Sequence, residues 1–273
     1  MIEKAYSTPD GDIRYWVSQF HIQKSWLVFL PGLTADHHLF DRQIAFFENK
    51  FCCFVWDAPA HGLSRPFGLT FSLADTARYL HCIFEKETIH MPILIGQSMG
   101  GYIAQMYMDL YPGSVSGFLS IDSCPLQRRY FSGWELALLK HAEWMYLGIP
   151  WKMLVRWGVN GTSVTEYGRA LMKQTMESYE RKEYCALAGH GYHIVAEAIE
   201  SGRDFIITCP VLLLCGEKDA AGSAKSYNRK WNQKEGYPIV WLANAGHNSN
   251  TDVPDEVNRH ILAFIDSIGP IKR

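Results

Sequence analysis

The chain has 273 residues, 48% of them apolar and 20% charged, with a formal net charge of −2. That is enough apolar material for one large core, and the near-neutral balance excludes charge-driven binding to nucleic acid or to an anionic membrane surface. The longest apolar runs fall far short of the roughly 20 residues that span a bilayer, so no stable membrane anchoring is expected.

The start of the chain carries Glu3 and Lys4 and has no apolar stretch, so it does not read as a secretory signal. Seven cysteines are scattered without a C-x-x-C pair. Cys52, Cys53, Cys209 and Cys215 sit in or beside strand-like runs and read as reduced, buried thiols of a cytoplasmic protein. Two extended runs flank Pro9-Asp10-Gly11-Asp12, a turn signal, and predict a hairpin over residues 1–19. Residues 25–30 form a continuous apolar strand that ends at Pro31-Gly32-Leu33, and a helix is expected from about Leu39 to Glu48. Residues 51–56 form the next strand and run into Asp57-Ala58-Pro59-Ala60-His61-Gly62-Leu63-Ser64. Ser72 is a good N-cap for a helix to about Glu87 with Leu73, Ala77, Leu80 and Phe84 on one face. A strand at residues 93–95 and a helix carrying Ile103, Met106, Tyr107 and Leu110 follow. Further strands are expected at residues 115–121, 211–215 and 239–242, and a last amphipathic helix at about 254–268. Eight strands, mostly continuous apolar runs alternating with helices, predict a mostly parallel sheet covered on both faces.

Residues 124–208 break this alternation and carry no convincing strand. Ser132-Gly133-Trp134-Glu135 and Ser163-Val164-Thr165-Glu166 both read as capping boxes, opening helices to about Leu147 and Met176, and a further helical run ends near Gly202. The expected organisation is therefore a core of residues 1–123 and 209–273 with an all-helical cap, or lid, at 124–208. The cap is dense in large apolar side chains. Most of these should pack internally, while Trp134, Trp144 and Trp157 are candidates to line a substrate pocket.

The chemistry centres on Gly96-Gln97-Ser98-Met99-Gly100, a G-x-S-x-G pattern between a strand and a helix. A sharp strand-to-helix turn of this kind exposes the serine hydroxyl, and both glycines are needed because a side chain would crowd the neighbouring backbone. A serine needs a base within hydrogen-bond reach, and the base needs an orienting carboxylate. Asp219 and His247 follow Ser98 in the order acid then base, each just past a strand end. Glu217 and Asp122 are rivals of Asp219 for the acid. Two main-chain N–H groups should receive the oxyanion of a tetrahedral intermediate: that of Met99, after the nucleophile, and that of Leu33, after Pro31-Gly32. Asp57 and His61 read as loop-shaping residues that satisfy backbone groups. His37 and His38 sit beside the first loop, within range of a substrate. None of the histidines shows a metal-binding spacing such as H-E-x-x-H, so no metal and no cofactor are expected.

Together these motifs resemble the α/β-hydrolase fold superfamily, in its lidded esterase, lipase and C–C hydrolase branch. The matching pieces are Pro31-Gly32-Leu33, Asp57 to Ser64, Gly96 to Gly101, Gly216 to Asp219, and Gly246-His247. The resemblance implies an eight-stranded α/β-hydrolase sheet, a triad of Ser98, Asp219 and His247, and an oxyanion hole at Leu33 and Met99. Pro31 stands where such proteins commonly carry a histidine, which leaves the main-chain donor in place but alters the support of that loop. The expected activity is a serine hydrolase acting on a small-molecule apolar ester. One alternative is a C–C bond hydrolase or lyase acting on a keto acid, whose carboxylate would need Arg128, Arg129 or Arg156. The other is a non-catalytic receptor on the same scaffold.

Overall fold

A computed structural model of the protein describes residues 1–19, 21 and 24–269. Its strands are β1 (Ile2–Thr8), β2 (Gly11–Val17), β3 (Trp26–Leu30), β4 (Cys52–Trp56), β5 (Ile93–Gln97), β6 (Gly117–Ile121), β7 (Val211–Gly216) and β8 (Ile239–Leu242). They form one eight-stranded sheet in the order β1-β2-β4-β3-β5-β6-β7-β8. The β1–β2 and β2–β4 pairs are antiparallel and the remaining pairs are parallel.

Strand alternation divides the core between the two faces of the sheet. On β3, Trp26, Val28 and Leu30 join one apolar cluster and Leu27 and Phe29 the other. On β4, Cys52, Phe54 and Trp56 share the first cluster, Cys53 and Val55 the second. Helices α1 (Asp41–Phe47) and α11 (Pro254–Ile268) cover the second face, through Phe47, Val257, Ile261 and Phe264. Helices α2 (Leu73–Glu87), α3 (Met99–Leu110) and α9 (Ala224–Glu235) cover the first. Strands buried on both faces have no polar side to show, which is why they read as unbroken apolar runs.

Between β6 and β7 stand five helices and no strand: α4 (Gly133–Lys140), α5 (Ala142–Leu147), α6 (Trp151–Thr162), α7 (Glu166–Glu177) and α8 (Arg181–Glu200). Three local readings change. The helix opened by the Ser132–Glu135 box breaks at His141 into α4 and α5. The second box does not form: Thr165 caps α7 by accepting from the Gly168 N–H, and Ser163 instead turns its hydroxyl to Asp252. Helix α9 escapes the apolar-pattern reading because it is largely polar, yet Ala224, Tyr227, Asn228 and Trp231 recur at helical spacing and are buried. A short helix, α10 (Ser249–Asp252), precedes α11.

The β5–α3 turn is packed to backbone contact. A Cβ added at Gly96 would sit 2.5 Å from the Gly101 nitrogen, and one at Gly100 would sit 1.9 Å from the Leu30 carbonyl oxygen. We therefore expect Gly100→Ala to lower the unfolding free energy by about 3 kcal/mol. Gly161→Ala, in a helix with nothing within 4 Å of the added methyl, should raise it by about 0.5–1 kcal/mol. Urea denaturation of both variants checks the contrast.

Candidate active site

All the polar side chains singled out at strand ends lie along the carboxyl edge of the sheet, where parallel α/β sheets hold their ligands. Ser98 follows β5 and caps α3 with φ 49° and ψ −116°, a conformation that a residue with a Cβ rarely adopts. The strained turn is pinned from β6. The Ser98 N–H donates to the Ile121 carbonyl at 2.9 Å, and the Ser123 hydroxyl donates to the Ser98 carbonyl at 2.6 Å.

The structure brings the three distant side chains together. The Ser98 Oγ lies 2.9 Å from His247 Nε2, and His247 Nδ1 lies 3.0 Å from Asp219 Oδ2. With Asp219 as acceptor, Nδ1 carries the proton and Nε2 is free to accept from the serine hydroxyl. The second oxygen of Asp219 accepts from the Ala221 N–H at 2.8 Å. The Asp219 side chain is buried and His247 nearly so, at 1% and 13% exposure. Burial alone would push His247 below its usual value. The hydrogen bond that His247 donates to Asp219, the charge of Asp219 and that of Asp122 outweigh burial and hold the imidazole above it. Glu217 is exposed and Asp122 turns its oxygens to Gly216 and Ser249, so neither rival bonds the imidazole.

Leu33 and Met99 flank the serine. A Cβ on Gly32 would sit 3.1 Å from the Ser98 Cβ, so the loop after β3 runs directly beside Ser98. Met99 is the first residue of α3, where an N–H has no acceptor one turn back. Helix α8 presses on both residues: a Cβ on Gly191 would meet the Leu33 side chain at 2.3 Å and the Met99 side chain at 3.2 Å. Between cap and core lies an apolar cavity lined among others by Leu33, Phe71, Leu73, Met99, Leu187 and Ile194, with about 20 Å³ of free space. That is room for little more than one water molecule.

The three cap tryptophans are not in this cavity. Trp134, Trp144 and Trp157 are 70%, 76% and 54% exposed. Their helices bury other faces, through Leu136 on α4, Ala142 on α5, and Leu154 and Val155 on α6. The arginines considered for a substrate carboxylate are also elsewhere. Arg128 donates to the Phe131 carbonyl, Arg129 pairs with Glu235 and Asp204, and Arg156 is exposed.

Asp57 and His61 shape the loop as expected. Asp57 accepts from the His37 and Leu63 N–H groups and from His37 Nδ1, and His61 Nδ1 donates to the Pro59 carbonyl. His37 also stacks on Trp16, and His38 bonds Asp36. Among the described residues, Asp36, His37 and His38, and separately Asp122, Cys215 and Asp219, bring potential metal-binding atoms together. Nδ1 of His37 and of His38 in the first group and the carboxylates of the second are already engaged within the protein.

Two supports were not singled out from the sequence. The Gln97 amide donates to the His247 carbonyl at 2.9 Å and to Asn248 Oδ1 at 3.2 Å; a polar residue ending an otherwise apolar strand was the signal. Asp252 accepts from the Gly246 N–H, the Ser163 and Thr165 hydroxyls, and the Val164 and Thr165 N–H groups. One buried carboxylate thus joins the loop of His247 to the α6–α7 turn of the cap.

A model of the alpha/beta hydrolase fold family matches residues 25–162. A curated relative, 2-(acetamidomethylene)succinate hydrolase of Mesorhizobium japonicum, is 22% identical over 255 residues, 88% of each chain. Among solved structures, a thermophilic esterase from Thermogutta terrifontis superposes with TM-score 0.80 at 17% identity, covering 99% of this chain and 100% of that one. The enol-lactonase from Burkholderia xenovorans gives TM-score 0.78 at 16% identity, covering 96% and 100%. At such identities the structural likenesses show the fold alone. No described helix is long and apolar enough to cross a membrane.

The strain at residue 98 has a measurable consequence. Ser98→Gly should be more stable than Ser98→Ala by about 1 kcal/mol, because only glycine is at ease at this φ. Thermal denaturation of the two variants compares them directly.

Proposed function

The chain belongs to the α/β-hydrolase fold family, and from that premise we propose that it is a serine hydrolase that cleaves a carboxylic ester of a small or medium apolar acyl group through an acyl-enzyme. The observation that carries this reading is the continuous relay from Ser98 Oγ through His247 to Asp219. Ser98 attacks the ester carbonyl and passes its proton to His247 Nε2. Asp219 fixes the imidazole tautomer and stabilises the imidazolium that forms. The N–H groups of Leu33 and Met99 receive the oxyanion, and His247 returns the proton to the departing alcohol oxygen. Water, deprotonated by His247, then releases the acid.

The apolar cavity between cap and core supports an uncharged acyl group, and its small free space supports a short one. No arginine or lysine lines that cavity, which speaks against a keto-acid substrate. All seven cysteines are free thiols, which supports work in a reducing compartment such as the cytoplasm.

A panel of p-nitrophenyl esters tests the reading. Turnover should be highest for acetate to butyrate and fall at least about tenfold by octanoate, since longer chains must push α8 away from Leu33 and Met99. Ser98→Ala should lose about 1,000-fold or more in kcat. A fluorophosphonate should label Ser98 one to one; folded protein left unlabelled sinks the proposal, and single rather than multiple turnover would favour a receptor.

The pH profile follows from the raised imidazole. A base works only when unprotonated, so kcat/KM should rise with pH as His247 loses its proton, with a midpoint above about 6.5. A midpoint at or below that value overturns the raised imidazole.

A further inference from the structure

We propose that Asp122 is a positioning residue for the relay: its carboxylate ties the loop of Asp219 to the loop of His247, and its negative charge adds to that of Asp219 in holding the imidazolium. The inference rests on the serine-hydrolase reading given above.

Asp122 ends β6, is 1% exposed and takes a left-handed φ of 48°, which turns its side chain under the neighbouring loops. Its Oδ1 accepts from the N–H of Gly216 at 2.7 Å, three residues before Asp219. Its Oδ2 accepts from the N–H of Ser249 at 3.0 Å and the Ser249 hydroxyl at 2.5 Å, two residues after His247. One side chain therefore grips both loops that deliver the relay, from the strand between the nucleophile and the acid.

These partners are all donors, which is the environment of a carboxylate ion and not of a carboxylic acid. The titratable groups around it are Cys124 beyond β6, Cys215 on β7, Asp219 and His247. A carboxylate oxygen of Asp122 lies within 4.8 Å of the Cys215 sulfur and of an Asp219 oxygen. Burial pushes the Asp122 carboxyl up to about 7. The positive charge of His247 and the bonds from Ser249 and Gly216 oppose that rise, whereas the charge of Asp219 adds to it. The Asp122 anion and the His247 imidazolium thus stabilise each other, and reciprocally Asp122 raises His247.

Replacing Asp122 with asparagine keeps the shape and removes the charge, which separates a scaffold from an electrostatic partner. The test is a pH titration of [15N]histidine-labelled full-length protein by NMR, with the His247 ring assigned by its loss in His247→Gln. Asp122→Asn should lower the His247 pKa by about one pH unit. It should also slow fluorophosphonate labelling of Ser98 about tenfold. Ser249→Ala keeps the charge but makes it harder to form by removing one donor, so it should move His247 the same way by less. A His247 titration in Asp122→Asn that superimposes on the wild type overturns the proposal. If Asp122→Asn does not fold, an unchanged titration in Ser249→Ala overturns it instead. Labelling of wild-type Ser98 is read separately: its failure rejects the hydrolase reading while the titration still decides whether Asp122 acts on His247.

Discussion

The imidazole of His247 is hydrogen-bonded at both nitrogens, and the site depends on both bonds holding at once. Neither bond is strong: each is worth about 1–3 kcal/mol net. A flexible loop carrying that histidine would lose more in conformational entropy than the bonds return. The rest of the structure supplies the missing order. Gln97 holds the carbonyl of His247, Asp252 holds the N–H of Gly246, and Asp122 holds Ser249, so the loop is gripped before, at and after the imidazole. Strain at Ser98, which costs about 1–3 kcal/mol, is offset by bonds to Ile121 at the end of the adjoining strand and to Ser123 just past it. The site is thus stiff because the sheet edge behind it is stiff.

Burial sets the electrostatics of that edge. Two carboxylates and one imidazole share a region almost closed to water, and none of them is near an arginine or lysine partner in its hydrogen bonds. The carboxylates are stabilised instead by main-chain N–H groups and a serine hydroxyl. Such dipoles are fixed by the fold, so they hold the two carboxylates without further reorganisation. Asp219 and Asp122 differ in what they touch: one bonds the imidazole, the other bonds the two loops. Topology decides this, since β6 lies between β5 and β7 and its end points beneath both loops.

How much of this was legible in the sequence follows from what each residue had to do. Strands β3 to β6 were legible because burial on both faces leaves them almost wholly apolar. The serine turn was legible because backbone contact demands glycine at 96 and 100. Chain order and strand-end position favoured Asp219 over Asp122, but the direction in which each carboxylate faces was not legible. Helix α9 was hidden because only a narrow stripe of it is buried, around Trp231. The cap tryptophans misled because size and apolarity do not say which side of a helix meets the core; Leu154 and Val155 took that place on α6. Ser163 had the chemistry of a cap but found a better acceptor in Asp252, far along the chain.

The carboxylate of Asp252 gives the cap a second character. At this edge the insertion is not a separate cover laid over a finished core; its α6–α7 turn is stitched to the segment that carries His247. Exchanging this insertion for another would therefore cut through the contacts that hold the His247 loop, unless the Ser163-Val164-Thr165 turn travelled with a matching acid at 252. Diversification of such insertions is then easiest at their far helices, α4 and α5, and most constrained at this one seam.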